Sequence, residues 1–445
     1  MPLERKEDHT GCHPSINPDP EESDRYMSER ISTDDAQYAL DLVRAICTQA
    51  GPGLPGTPQE RARAGIIEQE LAAHLGAENV VTEDFTLAPG AFYNTYPAVA
   101  CMLIAVALNL SIGRIPGIPP WVISAAALLF ALFMPVSFTL EFLLSLEVFD
   151  PLFPKRQSVN VIGSLRKPGT RDIKRLIILS GHHDSAPQNN WLRYTGRGFF
   201  VLSGIFVLGM IALVVMCLIQ LIGVILGNEE VIRLGTLGWL LMVFPIGPAI
   251  IYAAFLNGGM QDGGVVPGAA DNLSACGVVV AMSRYLANNP SDIPDETEIR
   301  FITFGSEEAG LRGSRRYVKA HLDELKALDT RLMNYEIIAY PEIAILAADV
   351  NGTLKFFPEM VSGAVAAAQR AGIPYKIGAG GIGAGSDAAP FTRAGLKSVT
   401  LLAFKTPQQQ LAFYHQDRDT PDVLSIEPLL NTLKLTLEWV KNKGI

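Results

Sequence analysis

The chain has 445 residues, with 36 Lys and Arg against 45 Asp and Glu and a formal net charge of -9. Only 18 % of the residues are charged, compared with roughly 25 % in soluble domains, and 49 % are hydrophobic, which excludes disorder or a coiled coil as a description of the whole chain. The acidic balance also argues against a nucleic-acid partner, because phosphate contacts need a basic protein face.

The N-terminal segment is polar and rich in proline. It contains no apolar stretch of the kind found in signal peptides, so we expect residues 1–30 to form a disordered tail. The first predicted helix follows at Thr57-Pro58-Gln59-Glu60, where a capping residue and a proline at the first helical position predict a helix through about Leu75.

Four windows are apolar and almost free of charge, and each is long enough to cross a hydrocarbon core in a helix. They form two predicted transmembrane hairpins, although buried helices of a soluble core are the alternative interpretation. The first hairpin occupies 93–149, with spans at about 96–113 and 121–140. The second occupies 198–261, with spans at about 198–227 and 234–261.

A hairpin returns the chain to the side from which it left, so the three polar segments can fold together. We expect one discontinuous domain made of 31–92, 150–197 and 262–445. Strands alternate with helices in it, which predicts an α/β fold with a mostly parallel or mixed central sheet and helices on both faces. The predicted strands are 80–87, 159–165, 175–181, 299–305, 335–340 and 398–404, and further helices are predicted at 272–288, 314–327 and 356–371.

Histidines and carboxylates follow several of these strands, and ligands of α/β sheets bind at the carboxyl ends of strands. His182 and Asp184 are two residues apart, so on extended backbone they point to the same side, where one can bind a metal and the other can orient its ring. This pair alone is also compatible with a hydrogen-bonded loop histidine. Adjacent Glu307 and Glu308 favour a cation between them, and Asp271 stands where a carboxylate could bridge two metals.

The motifs, taken in order, resemble the M28 family of zinc aminopeptidases. They cover about 30–90, 157–187 and 265–445, and comprise Gly181-His182-His183-Asp184-Ser185, Gly268-Ala269-Ala270-Asp271-Asn272, Phe304-Gly305-Ser306-Glu307-Glu308-Ala309-Gly310, Asn334-Tyr335-Glu336, Gly385-Ser386-Asp387 and Tyr414-His415.

The resemblance implies a site with two zinc ions. His182 and His415 would each bind one zinc, Asp271 would bridge both, and Glu308 and Glu336 would complete the two sites. Glu307 would be the general base, while Asp184 would orient His182 and Tyr414 would hydrogen-bond the developing oxyanion. These roles match the needs of metal-assisted hydrolysis, in which a separate carboxylate moves protons.

Two features depart from the family pattern. The family more often has Asp at the position of Glu336, so Asp349 is kept as an alternative ligand. Between His182 and Asp271 the family has a short loop, whereas this chain has 88 intervening residues that include the second hairpin. We therefore expect the active-site entrance to lie near the membrane surface.

The expected function is a membrane-anchored dinuclear zinc aminopeptidase that releases N-terminal residues from peptides. The alternatives are a carboxypeptidase or an N-acyl amino-acid amidohydrolase on the same metals, or a catalytically inactive membrane scaffold. A transporter is disfavoured because the apolar windows contain almost no ionisable residues. The expected partners are a peptide substrate and the lipid bilayer, and the sequence leaves the oligomeric state open.

The location of the peptidase domain is predicted from the flanks of the spans. About 95 residues precede the first span without a signal sequence, basic residues are more frequent on the domain side, and the five cysteines show no pairing pattern. These features favour a four-span protein whose peptidase domain lies on the cytoplasmic side.

Overall fold

An eight-stranded sheet forms the centre of the protein, which a computed structural model describes over residues 31–93, 95–238, 264–378, 385–405 and 408–445. The tail predicted for residues 1–30 lies outside the described residues. The strands run across the sheet in the order β1-β2-β4-β3-β5-β8-β6-β7. Their bounds are β1 Val80–Leu87, β2 Arg156–Arg166, β3 Arg175–His182, β4 Thr297–Phe304, β5 Asp329–Glu336, β6 Ile343–Leu346, β7 Tyr375–Gly378 and β8 Lys397–Leu402.

The sheet is mixed. Its central strands β4, β3, β5 and β8 are parallel, whereas β1 with β2, β2 with β4 and β6 with β8 are antiparallel. Ile177 and Leu179 of β3 pack into one hydrophobic core, and Leu176 and Ile178 pack into the other. Because successive side chains of a strand point to opposite faces, a continuous apolar run is what a strand covered on both faces requires. The predicted α/β class is confirmed.

Helices cover both faces of the sheet. Their bounds are α1 Thr33–Gln49, α2 Pro58–Leu75, α3 Pro89–Phe92, α4 Thr95–Leu110, α5 Pro120–Ser137, α6 Asn190–Thr195, α7 Gly198–Leu226, α8 Ser274–Asn288, α9 Arg312–Ala327, α10 Pro358–Arg370, α11 Ala388–Arg393, α12 Gln408–Ala412 and α13 Ile426–Lys441. The core on one face includes side chains of α1, α2, α8, α10 and α13, and the core on the other includes side chains of α9 and α11.

Most predicted elements coincide with observed ones to within a few residues. The strand predicted at 335–340 was wrong in position, because β5 begins in a polar segment at Asp329 and ends at Glu336. Ile337 has a φ of 49°, so the chain leaves the sheet where the apolar run begins. Two strands, β6 and β7, were not predicted, since four residues each are too few to show a periodic pattern.

Within the part of the chain that the structure describes, two helices are long and apolar enough to cross a membrane, whereas four spans were predicted. They are Pro120–Leu143, which is α5 with the π-helical turn that follows it, and α7, with 24 and 29 residues. Helix α4 has 16 residues, fewer than the roughly 20 that a span usually needs. The last predicted window, 234–261, is described only to residue 238, and residues 229–238 are helical.

The apolar helices expose several large apolar side chains and bury two polar ones, which is unlike the arrangement in a water-soluble bundle. Leu129, Leu208 and Ile225 are each about two-thirds exposed, whereas the polar Asn109 and Gln220 are buried. Asn109 Nδ2 lies 3.0 Å from the Cys217 sulfur across the α4–α7 contact. In soluble proteins most large apolar side chains are inside, so the outward-facing apolar surface of these helices is unusual for a soluble bundle.

Candidate metal centre

The carboxyl ends of parallel strands bring the predicted site residues together. His182 is the last residue of β3 and Glu336 is the last residue of β5. Glu307 and Glu308 follow β4 after a sharp turn at Ser306, which has a φ of 56°. Because β3, β4 and β5 are parallel neighbours, these residues reach the same edge of the sheet.

Asp271 and His415 complete the cluster from outside the sheet. Asp271 lies in the turn Ala269–Leu273 that precedes α8, where its backbone is not helical, and His415 follows α12. Asp271 Oδ1 is 3.4 Å from His182 Nε2, and Asp271 Oδ2 is 3.1 Å from His415 Nε2. The two oxygens of this one carboxylate therefore face the two imidazoles, as a bridging ligand would.

Each imidazole has a second carboxylate beside it. Glu336 Oε2 is 3.6 Å from His182 Nε2, and Glu308 Oε1 is 3.2 Å from His415 Nε2. Glu307 Oε2 is 3.7 Å from His182 Nε2. The donor atoms of His182, Asp271 and Glu308 all lie within 4.8 Å of one another, as do those of His182, Glu307 and Glu336. All five predicted metal ligands and the predicted base thus converge.

The cluster holds more carboxylates than cations. Among the residues that the structure describes, the ion pairs of Asp271, Glu307, Glu308 and Glu336 are with the two histidines alone. Four buried carboxylates against two imidazoles leave an excess of negative charge, and buried charge is costly unless a counter-ion compensates it. Imidazole and carboxylate are the donors that zinc accepts, so these residues fit a zinc site.

The pKa shifts follow from this crowding. Burial raises the pKa of Glu307 well above its usual range, and Glu308 and Glu336 add to the rise while His182 opposes it. Burial alone would lower the pKa of His415, but Glu308 and Asp271 outweigh it and raise this pKa to about 10. Burial would raise the pKa of Asp271, yet its contacts with both histidines keep it below its usual value.

Asp184 holds two parts of the site at once. Its Oδ1 is 3.2 Å from His182 Nδ1, on the ring side opposite the other carboxylates. The same carboxylate accepts hydrogen bonds from the backbone N–H groups of Glu307, at 3.1 Å, and Glu308, at 3.0 Å. The sequence predicted the contact with His182 but not the second, which fixes the loop that carries both glutamates.

Further residues in or near the motifs contact the predicted ligands but had no predicted role. Glu336 accepts hydrogen bonds from Asn334 Nδ2 at Oε1 and from Asn272 Nδ2 at Oε2, each at 2.8 Å. Asp419 accepts from the backbone N–H groups of Ala270 and Asp271, at 2.7 and 3.1 Å. The only sequence signal for these residues was their position beside a predicted ligand.

Tyr414 and Asp349 are placed differently. The Tyr414 ring stacks on the His415 imidazole, with centroids 4.0 Å apart. Burial raises the pKa of Tyr414 well above 10, and the nearest carboxylates, Asp271 first, add to the rise. Asp349, the alternative to Glu336, lies outside both groups of potential ligands among the described residues and accepts a hydrogen bond from Ser386 Oγ at 2.7 Å.

Comparison with known proteins agrees with the geometry. Residues 257–440 match the model of Peptidase family M28. The curated protein Aminopeptidase YwaD from Bacillus subtilis (strain 168) is 48 % identical over 71 residues, which are 16 % of this chain and 14 % of that protein. The matched segment thus spans about a seventh of the relative's length.

Solved structures share the fold at low identity. A zinc aminopeptidase from Bacillus subtilis superposes with a TM-score of 0.50 at 16 % identity, covering 92 % of this chain and 94 % of its own. The aminopeptidase from Aneurinibacillus sp. strain AM-1 gives 0.51 at 14 %, covering 93 % and 94 %. An Acidobacteriales bacterium glutaminyl cyclase gives 0.51 at 13 %, covering 92 % and 94 %. The solved structures show that the fold is shared, and the match of residues 257–440 to peptidase family M28 agrees with the family that the motifs resemble.

Proposed function

We propose that the protein is a membrane-anchored dinuclear zinc aminopeptidase. The observation that carries this proposal is the division of the cluster by Asp271. One of its oxygens faces His182, which also lies beside Glu336, and the other faces His415, which also lies beside Glu308. Two sets of three donors that share one carboxylate match the requirement of a two-metal hydrolytic site.

Zinc bound by these five residues would polarise a peptide carbonyl and lower the pKa of water. The protein supplies the proton transfers. Glu307 takes the proton of the attacking water at its carboxylate and later delivers it to the departing amine. Burial raises the pKa of Glu307 above its usual range, which is the direction expected of a carboxylate that both accepts and returns a proton.

Two other residues support Glu307 in this proposal. Asp184 keeps the His182 ring in one orientation and holds the backbone of Glu307 in place. Tyr414 has a hydroxyl that stays protonated at neutral pH because burial raises its pKa, so it can donate a hydrogen bond to the oxyanion. Glu307 is near enough to His182 to be a ligand itself, and the substitution described in the Discussion separates the two roles.

The aminopeptidase activity is tested with defined substrates. We expect the detergent-purified chain to hydrolyse amino-acid p-nitroanilides, to lose this activity with a chelator and to regain it with zinc. Peptides blocked at the N-terminus should not be cleaved. Activity on blocked peptides or N-acyl amino acids alone would favour a carboxypeptidase or an amidohydrolase, and a zinc-loaded chain inactive on every substrate would favour an inactive scaffold.

Zinc binding should release protons. The pKa of His415 is about 10 before a cation binds, and the carboxylates around His182 raise its pKa well above its usual value, against the effect of burial. Both rings are then protonated at pH 7 and must lose a proton to bind zinc. Affinity should rise with pH by about tenfold per unit for each proton displaced.

Calorimetric titration of zinc measures this release directly. The titration is done in two buffers with different ionisation enthalpies. The two apparent binding enthalpies should differ by the number of protons released multiplied by the difference between the ionisation enthalpies of the buffers. Equal enthalpies in both buffers, or an affinity that does not change between pH 6 and pH 8, would contradict protonated imidazoles in the cation-free site.

The bilayer is the proposed environment of the apolar helices. We propose four spans in two hairpins, with the discontinuous domain 31–92, 150–197 and 262–445 on the cytoplasmic side. The support is the two long apolar helices and their exposed leucines. We expect the chain to remain in the membrane pellet after an alkaline carbonate wash, and its release into the supernatant would contradict spanning.

The orientation needs a separate measurement. In sealed inside-out vesicles an added protease should digest the peptidase domain, and in right-side-out vesicles of the same membranes the domain should be protected. The opposite pattern would place the active site on the external or lumenal side.

A further inference from the structure

Both apolar hairpins begin beside a residue of the metal centre. The Tyr93 hydroxyl, two residues before α4, donates a hydrogen bond to the backbone carbonyl of Glu308. The backbone N–H of Asn189, which caps α6 ahead of α7, donates to the backbone carbonyl of His415 at 2.7 Å. Glu308 lies beside His415, with Oε1 3.2 Å from His415 Nε2, so both contacts reach the part of the cluster around His415.

The first hairpin holds the Glu308 loop at both of its ends. At one end, the Phe92 ring is packed so closely on Gly310 that a Cβ atom there would lie 2.7 Å from it. At the other end, Arg312 is fully buried and its guanidinium lies 3.1 Å from Glu141 Oε2 and 2.9 Å from Asp150 Oδ1. Both acidic residues belong to the segment through which the chain leaves the hairpin.

The second hairpin holds His415 in a conformation that is unusual for a residue with a side chain. His415 has a φ of 50°, in the left-handed region that residues other than glycine rarely adopt. The backbone N–H of Asn189 donates its hydrogen bond to the backbone carbonyl of His415 itself. Arg193 of α6 adds an ion pair with Asp417, with Nη1 and Oδ2 2.9 Å apart.

The other half of the cluster is held by the sheet and by α8. His182 and Glu336 are the final residues of neighbouring parallel strands. The partners of the Glu336 carboxylate are Asn334, in the same strand, and Asn272, at the start of α8. These supports belong to the folded α/β core rather than to the hairpins.

We propose that the starts of the two apolar hairpins position Glu308 and His415, so that hairpin packing sets the metal position that these two residues share. The position shared by His182 and Glu336 depends on the sheet and on the segment that leads into α8, and not on the hairpins. The inference rests on the proposed dinuclear site. It predicts that one zinc is bound independently of the hairpins and that the other is lost when the hairpins shift.

The test is a zinc titration of the full chain in lipid nanodiscs, after removal of metal and in competition with a fluorescent chelator. The variants are Tyr93→Phe, which removes the hydroxyl that contacts Glu308, and Asn189→Ala. The second variant keeps the backbone N–H that contacts His415 but removes the side-chain cap that fixes the start of α6. The matched control is Tyr38→Phe, because the Tyr38 hydroxyl also donates a hydrogen bond, to Glu70 at 2.6 Å, but Tyr38 lies on α1.

We expect wild type and the control to bind two zinc ions. Each variant should weaken one of the two affinities by about tenfold, as substitution of outer partners of a metal ligand does, and leave the other unchanged. In a His182→Ala background, which removes the sheet-held position, the remaining zinc should still respond to Tyr93→Phe.

Other outcomes would overturn the inference. Equal weakening of both affinities by Tyr93→Phe and Asn189→Ala, or no change in either, would contradict separate positioning of the two metals. Failure of the proposed function gives a different result, because wild type itself would then bind fewer than two zinc ions.

Discussion

Replacing Glu307 with Gln should lower kcat for peptide hydrolysis by about 10²- to 10⁴-fold and leave the zinc content unchanged. The amide keeps the shape of the side chain but cannot take a proton from water. Glu307 is buried near Glu308 and Glu336, and burial, with these two carboxylates, raises its pKa above the usual range. The measurements are single-turnover kinetics and metal analysis of the same preparation.

The neighbouring residue provides the matched control. Glu308→Gln changes the same chemical group in the same loop, but Glu308 faces His415 and Asp271 Oδ2, so this variant should lose zinc as well as activity. If Glu307→Gln also lost a zinc ion, Glu307 would be a ligand rather than the base. Unchanged turnover in Glu307→Gln would rule out both roles.

The convergence of the site could be predicted from the sequence because it depends on strand ends. Once β3, β4 and β5 are parallel neighbours, His182, Glu307 and Glu336 must reach one edge of the sheet. This holds although the position of β5 was wrong, since the predicted and observed strands both include Glu336. Order along the chain and the parallel direction of the strands were sufficient.

The supporting contacts could not be predicted, because they join residues far apart in the chain. Glu60 is an example: the sequence placed it in a capping box with Thr57, and its N–H does bond the Thr57 hydroxyl at 3.3 Å. Its carboxylate instead accepts hydrogen bonds from Ser158 Oγ at 2.9 Å and from Ser306 Oγ at 2.7 Å. Ser306 begins the loop that carries Glu307 and Glu308. No local pattern reports such partners.

The second large effect is expected on stability. Arg312→Met should lower the free energy of unfolding by about 3–5 kcal/mol, because it removes the cation from a buried group of carboxylates. Arg312 is fully buried and Glu141 is 1 % exposed, and both are at the junction of the first hairpin with α9. Burial lowers the pKa of Arg312 to about 10 even though Glu141 opposes the shift, so the guanidinium remains charged at neutral pH.

Thermal unfolding in detergent, followed by tryptophan fluorescence, measures this effect, with Arg315→Met as the control. The Arg315 side chain is 27 % exposed, and its Nε lies 3.3 Å from Glu147 Oε1 at the edge of this group of carboxylates. Its loss should therefore cost less than about 1 kcal/mol of unfolding free energy. Adding Glu141→Gln to Arg312→Met should restore part of the stability, since a neutral amide replaces the buried unpaired charge. If both single variants melted at the same temperature, the junction would be held by apolar packing, and the ion group would contribute little to the attachment of the hairpin.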